Sequence, residues 1–352
     1  MEDCKFKIGS RKIGFNNKCF IIAEVGQSHD GSLGIAHSYI DAAAEIGVDA
    51  VKFQTHIAKE ESTLKEKFRV NFSYVDKTRF DYWKRMEFSE EQWAGLKKHC
   101  EDLDIIFLSS PFSVNAVKML ERINISAWKI GSGEINNSQL FEAISKTNKP
   151  VLLSTGMSNW FEIDQSVNRL NELKISYCIF QTTSKYPTSL RDVGLNIIQE
   201  MKTRYDIPVG LSDHTGSISS SMAAISSGAS MIEVHVVFDK NMFGPDSKSS
   251  LTFKQLEALI KFRDDFYEIN SNPVDKDLIA KDLIPMKKLF NKSLIINSFL
   301  SKGSLLTHKN LTAKKPGIGI PVQDIDYCIG RKIIKDLEEG HILEWSDMEG
   351  RL

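Results

Sequence analysis

The feature that most constrains the fold is a repeated alternation of short apolar runs with longer amphipathic stretches, from residue 20 to about residue 268. Strands that alternate with helices pair in parallel, and eight such units close naturally into a (β/α)8 barrel. We therefore predict an α/β fold built on a TIM barrel. A doubly wound open sheet is the alternative. No GxGxxG motif follows the first apolar run, so the dinucleotide-binding function usual for such a sheet is not indicated. The predicted strands are Cys19–Gly26, Asp49–Gln54, Ile105–Ser110, Ala127–Gly131, Pro150–Ser154, Ile175–Thr182, Pro208–Ser212 and Met231–Val237.

The sequence beyond the barrel changes character and contains an internal repeat with a spacing of 37 residues. Each copy predicts a strand, a glycine turn, a short strand and a polar residue that caps a turn. We predict a barrel domain over residues 1–270, a polar and partly helical linker over 271–287, and a small β-rich domain over 288–352. The repeated positions are Leu300, Gly303, Leu306 and Asn310, matched by Leu337, Gly340, Leu343 and Asp347.

Composition narrows the classes of function. The 45 basic and 46 acidic residues give a net charge of −1, which argues against sequence-independent binding of nucleic acid. No apolar run has the length of a signal-peptide core or a membrane span. The five cysteines lie far apart without a CxxC pair, as expected of reduced thiols. We therefore expect a cytoplasmic protein that binds neither nucleic acid nor a membrane.

Charged side chains recur near the carboxyl ends of the predicted strands, where barrel enzymes build their active sites. Side chains alternate along a strand, so residues two apart share a face. Each of four charged or polar residues therefore shares a face with an apolar residue earlier in its own strand; these four are Glu24, Lys52, Lys129 and His235. Unpaired buried charges are costly, so this pattern predicts an active site. Glu24 and Lys52 could instead form a structural ion pair. Glu233 is interpreted as a structural partner outside the site.

Histidines end the last two predicted strands. His214 and His235 come from neighbouring strands, so their imidazoles could share a metal ion. Two neutral nitrogens completed by water or carboxylate oxygens suit Mn, Fe, Co or Zn better than Ca or Mg. Asp246 lies just downstream as a candidate outer ligand or water orienter. His29, in the loop Gly26-Gln27-Ser28-His29-Asp30-Gly31, could belong to the active site, or it could only fix its loop.

Small and hydroxyl residues follow the fourth and fifth strands, in Gly131-Ser132-Gly133-Glu134 and Ser154-Thr155-Gly156. Such turns let backbone N–H groups approach an anion closely, and the hydroxyls add donors. With Lys52 and Lys129 nearby, the pattern predicts a phosphate site. The long aromatic segment after the second strand, residues 56–89, is interpreted either as a lid or substrate wall or as a local insertion without a chemical role.

With these residues in view, the chain resembles the sialic acid synthase family over about residues 17–350, and its tail resembles the family's antifreeze-protein-like (SAF-type) domain. The barrel motifs that carry the resemblance are Ile22-Ala23-Glu24-Val25-Gly26, Val51-Lys52-Phe53-Gln54-Thr55-His56, Ser109-Ser110-Pro111-Phe112-Ser113, Lys129-Ile130-Gly131-Ser132-Gly133-Glu134, Ser154-Thr155-Gly156-Met157, Tyr186-Pro187-Thr188, Gly210-Leu211-Ser212-Asp213-His214-Thr215 and Gly244-Pro245-Asp246.

The resemblance implies a synthase that condenses phosphoenolpyruvate with an open-chain N-acetylated amino sugar and water. It implies a divalent metal held by His214 and His235, manganese being usual, with cobalt, magnesium or zinc as alternatives. It also implies a domain-swapped homodimer. Catalytic roles would fall to Glu24, Lys52, Lys129 and Tyr186. Phosphoenolpyruvate would be held by Lys52, Ser110, Lys129, Ser132, Ser154 and Ser212. The sugar would be held by Gln54, Glu134, Tyr186, Asp246 and Lys315.

Four positions depart from the family pattern. Ser28 and Ser184 stand where asparagine is common, Val234 replaces a frequent arginine, and Lys315 replaces the arginine before Pro-Gly in the small domain. Lysine keeps the positive charge but loses the planar guanidinium fork, so the acceptor sugar stays open between N-acetylmannosamine, its 6-phosphate and a diacetamido-trideoxyhexose. Two other functions remain as alternatives: an aldolase that uses Lys129 or Lys52 as a Schiff base, and a non-catalytic sugar-binding relative.

Overall fold

The computed structural model describes residues 4–350, which divide into two compact units between Ser271 and Asn272. The first unit begins with an antiparallel hairpin of two short strands, β1 (Phe6–Ile8) and β2 (Arg11–Ile13). The pattern of the sequence did not predict this hairpin, because three-residue strands are too short to show a periodicity.

Eight parallel strands form a closed barrel, and the predicted TIM barrel is confirmed. The last barrel strand pairs with both its predecessor and the first one, so the sheet closes on itself. Every predicted strand boundary lies within two residues of the observed one. The strands are β3 (Phe20–Gly26), β4 (Ala50–Thr55), β5 (Ile106–Pro111), β6 (Trp128–Ile130), β7 (Val151–Ser154), β8 (Tyr177–Thr182), β9 (Val209–Asp213) and β10 (Met231–Val237), and the short β11 (Leu251–Thr252) pairs with β10.

Helices cover the outside of the barrel, and many begin at a serine, threonine or asparagine whose side chain accepts a backbone N–H of the first turn. Ser32, Ser89 and Asn159 are examples, and such caps satisfy donors that the helix leaves unpaired. No helix among residues 4–350 is both long and apolar enough to cross a bilayer. The helices are α1 (Leu33–Glu45), α2 (Ala58–Glu61), α3 (Arg79–Met86), α4 (Glu90–Asp102), α5 (Val114–Arg122), α6 (Ser138–Ser145), α7 (Trp160–Glu172), α8 (Leu195–Tyr205), α9 (Ile218–Ser226) and α10 (Phe253–Ser271).

Apolar side chains fill the lower half of the barrel interior. They come from the amino-terminal halves of the strands, as Phe20, Ile22 and Leu152 do. Ile8 and Ile13 of the hairpin belong to the same cluster and are fully buried. The hairpin therefore closes the amino-terminal end of the barrel, and polar inward-facing residues occupy only the opposite, carboxyl-terminal half. A larger apolar cluster packs the outer faces of the strands against the helices.

The second unit contains a small β region that matches the predicted SAF-type domain. Its elements are α11 (Lys276–Asp282), α12 (Ile284–Phe290), β12 (Ser293–Ile296), β13 (Leu311–Lys314) and α13 (Ile325–Cys328). The two repeat copies have the same local structure: Gly303 and Gly340 both adopt a positive φ, and Asn310 and Asp347 each complete a capping box at a short 3-10 turn. Isolated bridges such as Leu300–Leu337 join the copies in place of the regular strands that we predicted.

Candidate active site

Strand register places the charged residues of the barrel at one level. Glu24 of β3 lies beside Lys52 of β4, and His235 of β10 lies beside Glu24 on the other side. One step deeper, Glu233 lies beside Ser212 of β9. Since side chains two residues apart share a face, these groups all point into the barrel above its apolar floor.

Two lysines and two glutamates form a buried ion cluster there. The ammonium of Lys52 lies 2.7 Å from Glu24 Oε2 and 3.7 Å from Glu233 Oε1. The ammonium of Lys129 lies 3.3 Å from the same Glu233 oxygen. All four side chains are at most 5% exposed, so bulk water screens these pairs little.

Hydroxyl groups complete the coordination of this ion cluster. Lys52 donates to Ser110 Oγ at 3.2 Å, and Lys129 donates to Ser154 Oγ at 2.6 Å. Ser212 Oγ donates to Glu233 Oε1 at 3.2 Å. Three of the predicted phosphoenolpyruvate-binding serines thus lie against the charged groups.

The four charged groups differ in how firmly they hold their charge. Burial works against the Glu233 carboxylate, but Lys129 and Lys52 outweigh it and lower the pKa of Glu233 to about 2. At Glu24 the effect of burial is larger than the attraction of Lys52, so the pKa of this carboxyl group is raised. Burial also lowers the pKa of Lys129, whereas for Lys52 the attraction of Glu233 and Glu24 outweighs burial and raises the pKa. Glu24 and Lys129 are therefore the two groups poised to exchange protons.

The two histidines meet above Glu24. The ring centres of His214 and His235 are 5.3 Å apart, and the Tyr186 ring lies 4.0 Å from that of His214. His214 Nδ1 donates to the carbonyl of Thr183 at 2.9 Å, which leaves its Nε2 lone pair free to face the cavity. Burial, with His235 nearby, lowers the pKa of His214 to about 4, so this imidazole is neutral at pH 7.

A cluster of hydroxyls forms the wall after the fourth and fifth barrel strands. The N–H of Gly156 donates to Ser132 Oγ at 3.0 Å. A Cβ at position 156 would lie 2.4 Å from Ser184 Oγ and 2.9 Å from Ser132 Oγ, closer than real contacts allow. A side chain here would displace both hydroxyls, so glycine keeps the Gly156 N–H and the two serine hydroxyls close together, an arrangement that suits an anion.

Residues 56–89, which we call the wall segment, form one side of the cavity and have their own apolar cluster around Tyr82 and Trp83. The cavity encloses about 620 Å³. Arg69 of the wall segment donates to Asp246 at 2.6 Å and stacks on the Tyr186 ring at 3.9 Å. Its position fits the interpretation as a substrate wall, since ten of its side chains line the cavity. These are His56, Glu61, Glu66, Phe68, Arg69, Val70, Phe72, Arg79, Tyr82 and Trp83.

The structure brings the predicted site residues of the barrel to one cavity. Lys315 belongs to the second unit, where its ammonium lies 5.0 Å from the Phe290 ring centre. The predicted site residues that line the cavity are Glu24, Lys52, Gln54, Ser110, Lys129, Ser132, Glu134, Ser154, Tyr186, Ser212, His214, His235 and Asp246.

Other placements correct or complete the expectations. Leaving Glu233 out of the site was wrong, because it lines the cavity and pairs with both lysines. The strand alternation that identified His235 also places Glu233 on the same face. His29 fixes its loop: its Nδ1 accepts the N–H of Gly31 at 3.1 Å, and it does not line the cavity. Val234 packs in the outer apolar cluster, so this departure from the family pattern faces away from the site. No pattern in the sequence indicated that Arg69 would line the cavity.

Comparison with known proteins agrees with this geometry. The NeuB family matches residues 39–272, and the SAF domain matches residues 293–349. The N,N'-diacetyllegionaminic acid synthase of Campylobacter jejuni is 32% identical over 93% of this chain and 99% of its own. The human N-acetylneuraminate-9-phosphate synthase is 32% identical over 94% of this chain and 92% of its own. The crystal structure of the N-acetylneuraminic acid synthetase of Leptospira borgpetersenii, in complex with citrate, has a TM-score of 0.71 at 31% identity and covers 80% of this chain and 95% of that one.

Proposed function

The chain belongs to the NeuB family of phosphoenolpyruvate-condensing nonulosonic acid synthases, and from this premise we propose that it joins phosphoenolpyruvate to an open-chain N-acetylated amino sugar. The observation that carries the proposal is the buried cluster of Lys52, Lys129, Glu24 and Glu233 on the floor of the cavity. The two ammonium groups can pair with the phosphate and the carboxylate of phosphoenolpyruvate, and the raised pKa of Glu24 favours uptake of a proton when these anions bind.

In the proposed reaction, carbon 3 of the enol attacks the aldehyde carbon of the sugar, and the aldehyde oxygen gains a proton. Tyr186 suits the role of a donor to that oxygen, because burial raises the pKa of its phenol and keeps it protonated. Water then adds at carbon 2 and forms a tetrahedral intermediate. Glu24, whose carboxylate has a raised pKa, takes the proton of this water as a general base.

Phosphate leaves when its carbon–oxygen bond at carbon 2 of the intermediate breaks, the carbon 2 hydroxyl gives its proton to the departing phosphate, and the 2-keto acid remains. Lys129 and Lys52 lie beside Ser154 and Ser110, so ammonium and hydroxyl donors converge where negative charge develops on the departing phosphate. Such preorganised donors stabilise developing charge without having to rearrange during the reaction. Glu233, an anion with a pKa of about 2, holds both lysines in place during this step.

The donor set at the top of the cavity fits a divalent metal ion such as manganese. Both His214 and His235 have lowered pKa values caused by burial, and His235 Nδ1 has no hydrogen-bond partner in the described chain. No group of three His, Cys, Asp or Glu among residues 4–350 is arranged as a metal site, so water or substrate oxygens would complete the coordination. A bound metal would polarise the aldehyde as a Lewis acid.

The outer half of the cavity favours a neutral, unphosphorylated acceptor. Arg69 is paired with Asp246 at 2.6 Å and Arg79 with Glu66 at 3.1 Å. Both guanidinium groups therefore already have an acidic partner. Glu134 adds a carboxylate that accepts a hydrogen bond from the Asn137 amide at 2.6 Å and has no ion pair with a residue of the described range 4–350. A phosphate group on the sugar would therefore meet more negative than free positive charge. The aromatic wall provides apolar surface for acetamido or deoxy substituents instead; its residues are Phe68, Phe72, Trp83 and Phe112.

The deciding experiment incubates the protein with phosphoenolpyruvate, Mn²⁺ and each candidate sugar, and follows phosphate release and product mass. We expect release with a diacetamido-trideoxyhexose or N-acetylmannosamine and little with the 6-phosphate. Chelation should abolish activity, and added Mn²⁺ should restore it. His214→Ala should lose at least 100-fold in kcat, whereas Glu142→Gln on the outer surface should leave it unchanged. Absence of phosphate release with every sugar would contradict the proposal.

A Schiff-base aldolase remains a second candidate, because the lowered pKa of the buried Lys129 is also what an amine nucleophile requires. Borohydride reduction in the presence of pyruvate and sugar distinguishes the two functions. We expect no trapped adduct by mass spectrometry, and a modified Lys129 or Lys52 would favour the aldolase. The homodimer stays a prediction from the family resemblance, which the molar mass in solution will test.

A further inference from the structure

A hydrogen-bonded chain leads from the wall segment to the proposed general base. His56 is buried, with Nδ1 2.5 Å from Glu61 Oε1 and Nε2 3.3 Å from Gln54 Oε1. Gln54 in turn donates from Nε2 to Glu24 Oε1 at 2.8 Å. None of the roles proposed above involves His56 or Glu61, although both line the cavity.

The partners of this chain determine which atoms carry protons. Glu24 Oε2 is held by Lys52 at 2.7 Å, so Oε1 is a carboxylate acceptor and must face the NH2 group of Gln54. The amide oxygen of Gln54 therefore faces His56, and it also accepts from Gln27 Nε2 at 3.0 Å. An oxygen that only accepts requires an N–H on His56 Nε2, and the Glu61 carboxylate requires another on Nδ1. Both nitrogens are thus protonated, and His56 is an imidazolium.

The rings around His56 support the same charge state. Its imidazole lies between Trp83 of α3, at a centroid distance of 3.9 Å and an angle of 16°, and Phe112 after β5, at 4.5 Å and 8°. Two parallel aromatic faces attract a cation through their negative quadrupoles. They also prevent the ring from rotating out of the line that joins Glu61 to Gln54.

We propose that His56, protonated and held by Glu61, is a positioning residue that orients the Gln54 amide and through it the Glu24 carboxylate. This inference rests on the proposed function, in which Glu24 takes the proton of the attacking water. A neutral His56 would present a lone pair to either Glu61 or Gln54. The Gln54 amide would then be free to turn, and Glu24 would lose its second donor while Lys52 still held Oε2.

Two variants test the hydrogen-bonded chain, so the test does not depend on whether a single variant folds. His56→Phe keeps an aromatic ring between Trp83 and Phe112 but removes both N–H donors. Glu61→Gln keeps the histidine and removes the carboxylate that requires the second proton. We expect kcat to fall about 30-fold in His56→Phe and about 10-fold in Glu61→Gln, of the order found for groups that orient a reacting side chain. KM for phosphoenolpyruvate should stay within about twofold, because neither these two residues nor Gln54 is assigned to bind it.

Lys97→Met is the matched control, since Lys97 forms an ion pair with Glu101 within α4, on the outside of the barrel, and should keep the wild-type kcat. A ¹⁵N-histidine spectrum supplies an independent readout: the signals lost in His56→Phe should have imidazolium shifts in the wild type and neutral shifts in Glu61→Gln. A kcat of His56→Phe within twofold of wild type, a change confined to KM, or neutral shifts in the wild type would each overturn the proposal. If the wild type turns over no sugar, the proposed function fails, and the spectrum alone decides whether His56 is the imidazolium inferred here.

Discussion

Replacing Glu233 with glutamine would remove the carboxylate between the two buried lysines while keeping the size and shape of the side chain. Lys52 would retain Glu24 at 2.7 Å. Lys129 would lose the carboxylate at 3.3 Å, its one ion-pair partner among residues 4–350. The perturbation therefore acts mainly on Lys129, whose pKa burial already lowers.

The size of the effect follows from the separation of the charges. At 3.3 Å and an effective dielectric constant of about 20, the attraction between Glu233 and Lys129 is about 5 kcal/mol. Without it the pKa of Lys129 falls further, so a smaller fraction of the amine carries its proton at pH 8. We expect kcat/KM at pH 8 to fall about 100-fold, or about 2.7 kcal/mol of transition-state stabilisation. The free energy of unfolding should fall by only about 2 kcal/mol, less than for most broken buried pairs, because the lysine can lose its proton.

The assay is phosphate release from pH 6 to pH 9, with phosphoenolpyruvate and an accepted sugar, for wild type and Glu233→Gln. Because lower pH protonates Lys129 again, the variant should recover activity toward pH 6, and its pH optimum should move to the acid side. Glu142→Gln is the control: it makes the same chemical change in an exposed ion pair with Lys146 and should leave both rate and optimum unchanged.

Two results would refute this reasoning. One is a Glu233→Gln variant with wild-type kcat/KM and an unchanged optimum, which would mean that Glu233 is only a structural partner. The other is a loss of activity that does not depend on pH and comes with a large loss of stability. That pattern would place the effect in folding rather than in the charge of Lys129.

Three further changes test other parts of the structure. Arg69→Ala removes the partner of Asp246 at 2.6 Å and should raise KM for the sugar about tenfold in steady-state assays without changing KM for phosphoenolpyruvate; an equal rise in both would contradict its place on the acceptor side. His29 is buried with a pKa lowered to about 3. From pH 7 to pH 5 this imidazole therefore binds a proton in the unfolded state but stays neutral in the folded state. The free energy of unfolding of wild type should therefore fall by about 2 kcal/mol more than that of His29→Asn over this range, as urea titrations at both pH values would show. Ile13→Ala in the hairpin should cost about 2–4 kcal/mol of unfolding free energy with kcat unchanged, and a loss below 0.5 kcal/mol would mean that the hairpin does not close the barrel.

Strand periodicity alone located much of the site. Glu24, Lys52, Lys129 and His235 each lie on an inward face near the carboxyl end of a strand, and a closed parallel barrel brings such positions together whatever the lengths of the loops. The same alternation applied to β10 also identified Glu233, which we interpreted as a structural partner and left out of the site. Position could be predicted from the sequence in that case, but role could not.

Contacts made by loops were decided only by the tertiary structure. Arg69 and Asp246 pair across 177 residues of sequence, and Trp83 reaches back to stack on His56. Nothing in the spacing of these residues indicates a contact, because an irregular loop has no repeating geometry from which the direction of a side chain follows.

The sequence by itself determined the barrel, its strand boundaries to within two residues, the repeat in the second unit and the level at which charged groups enter the interior. All of these depend on local periodicity, which each strand, helix or turn imposes on its own residues. The tertiary structure alone decided that a short hairpin closes the floor, that Glu233 joins both lysines and that His56 stacks between Trp83 and Phe112. Those features depend on distances between groups far apart in the chain, and such distances exist only once the barrel has closed.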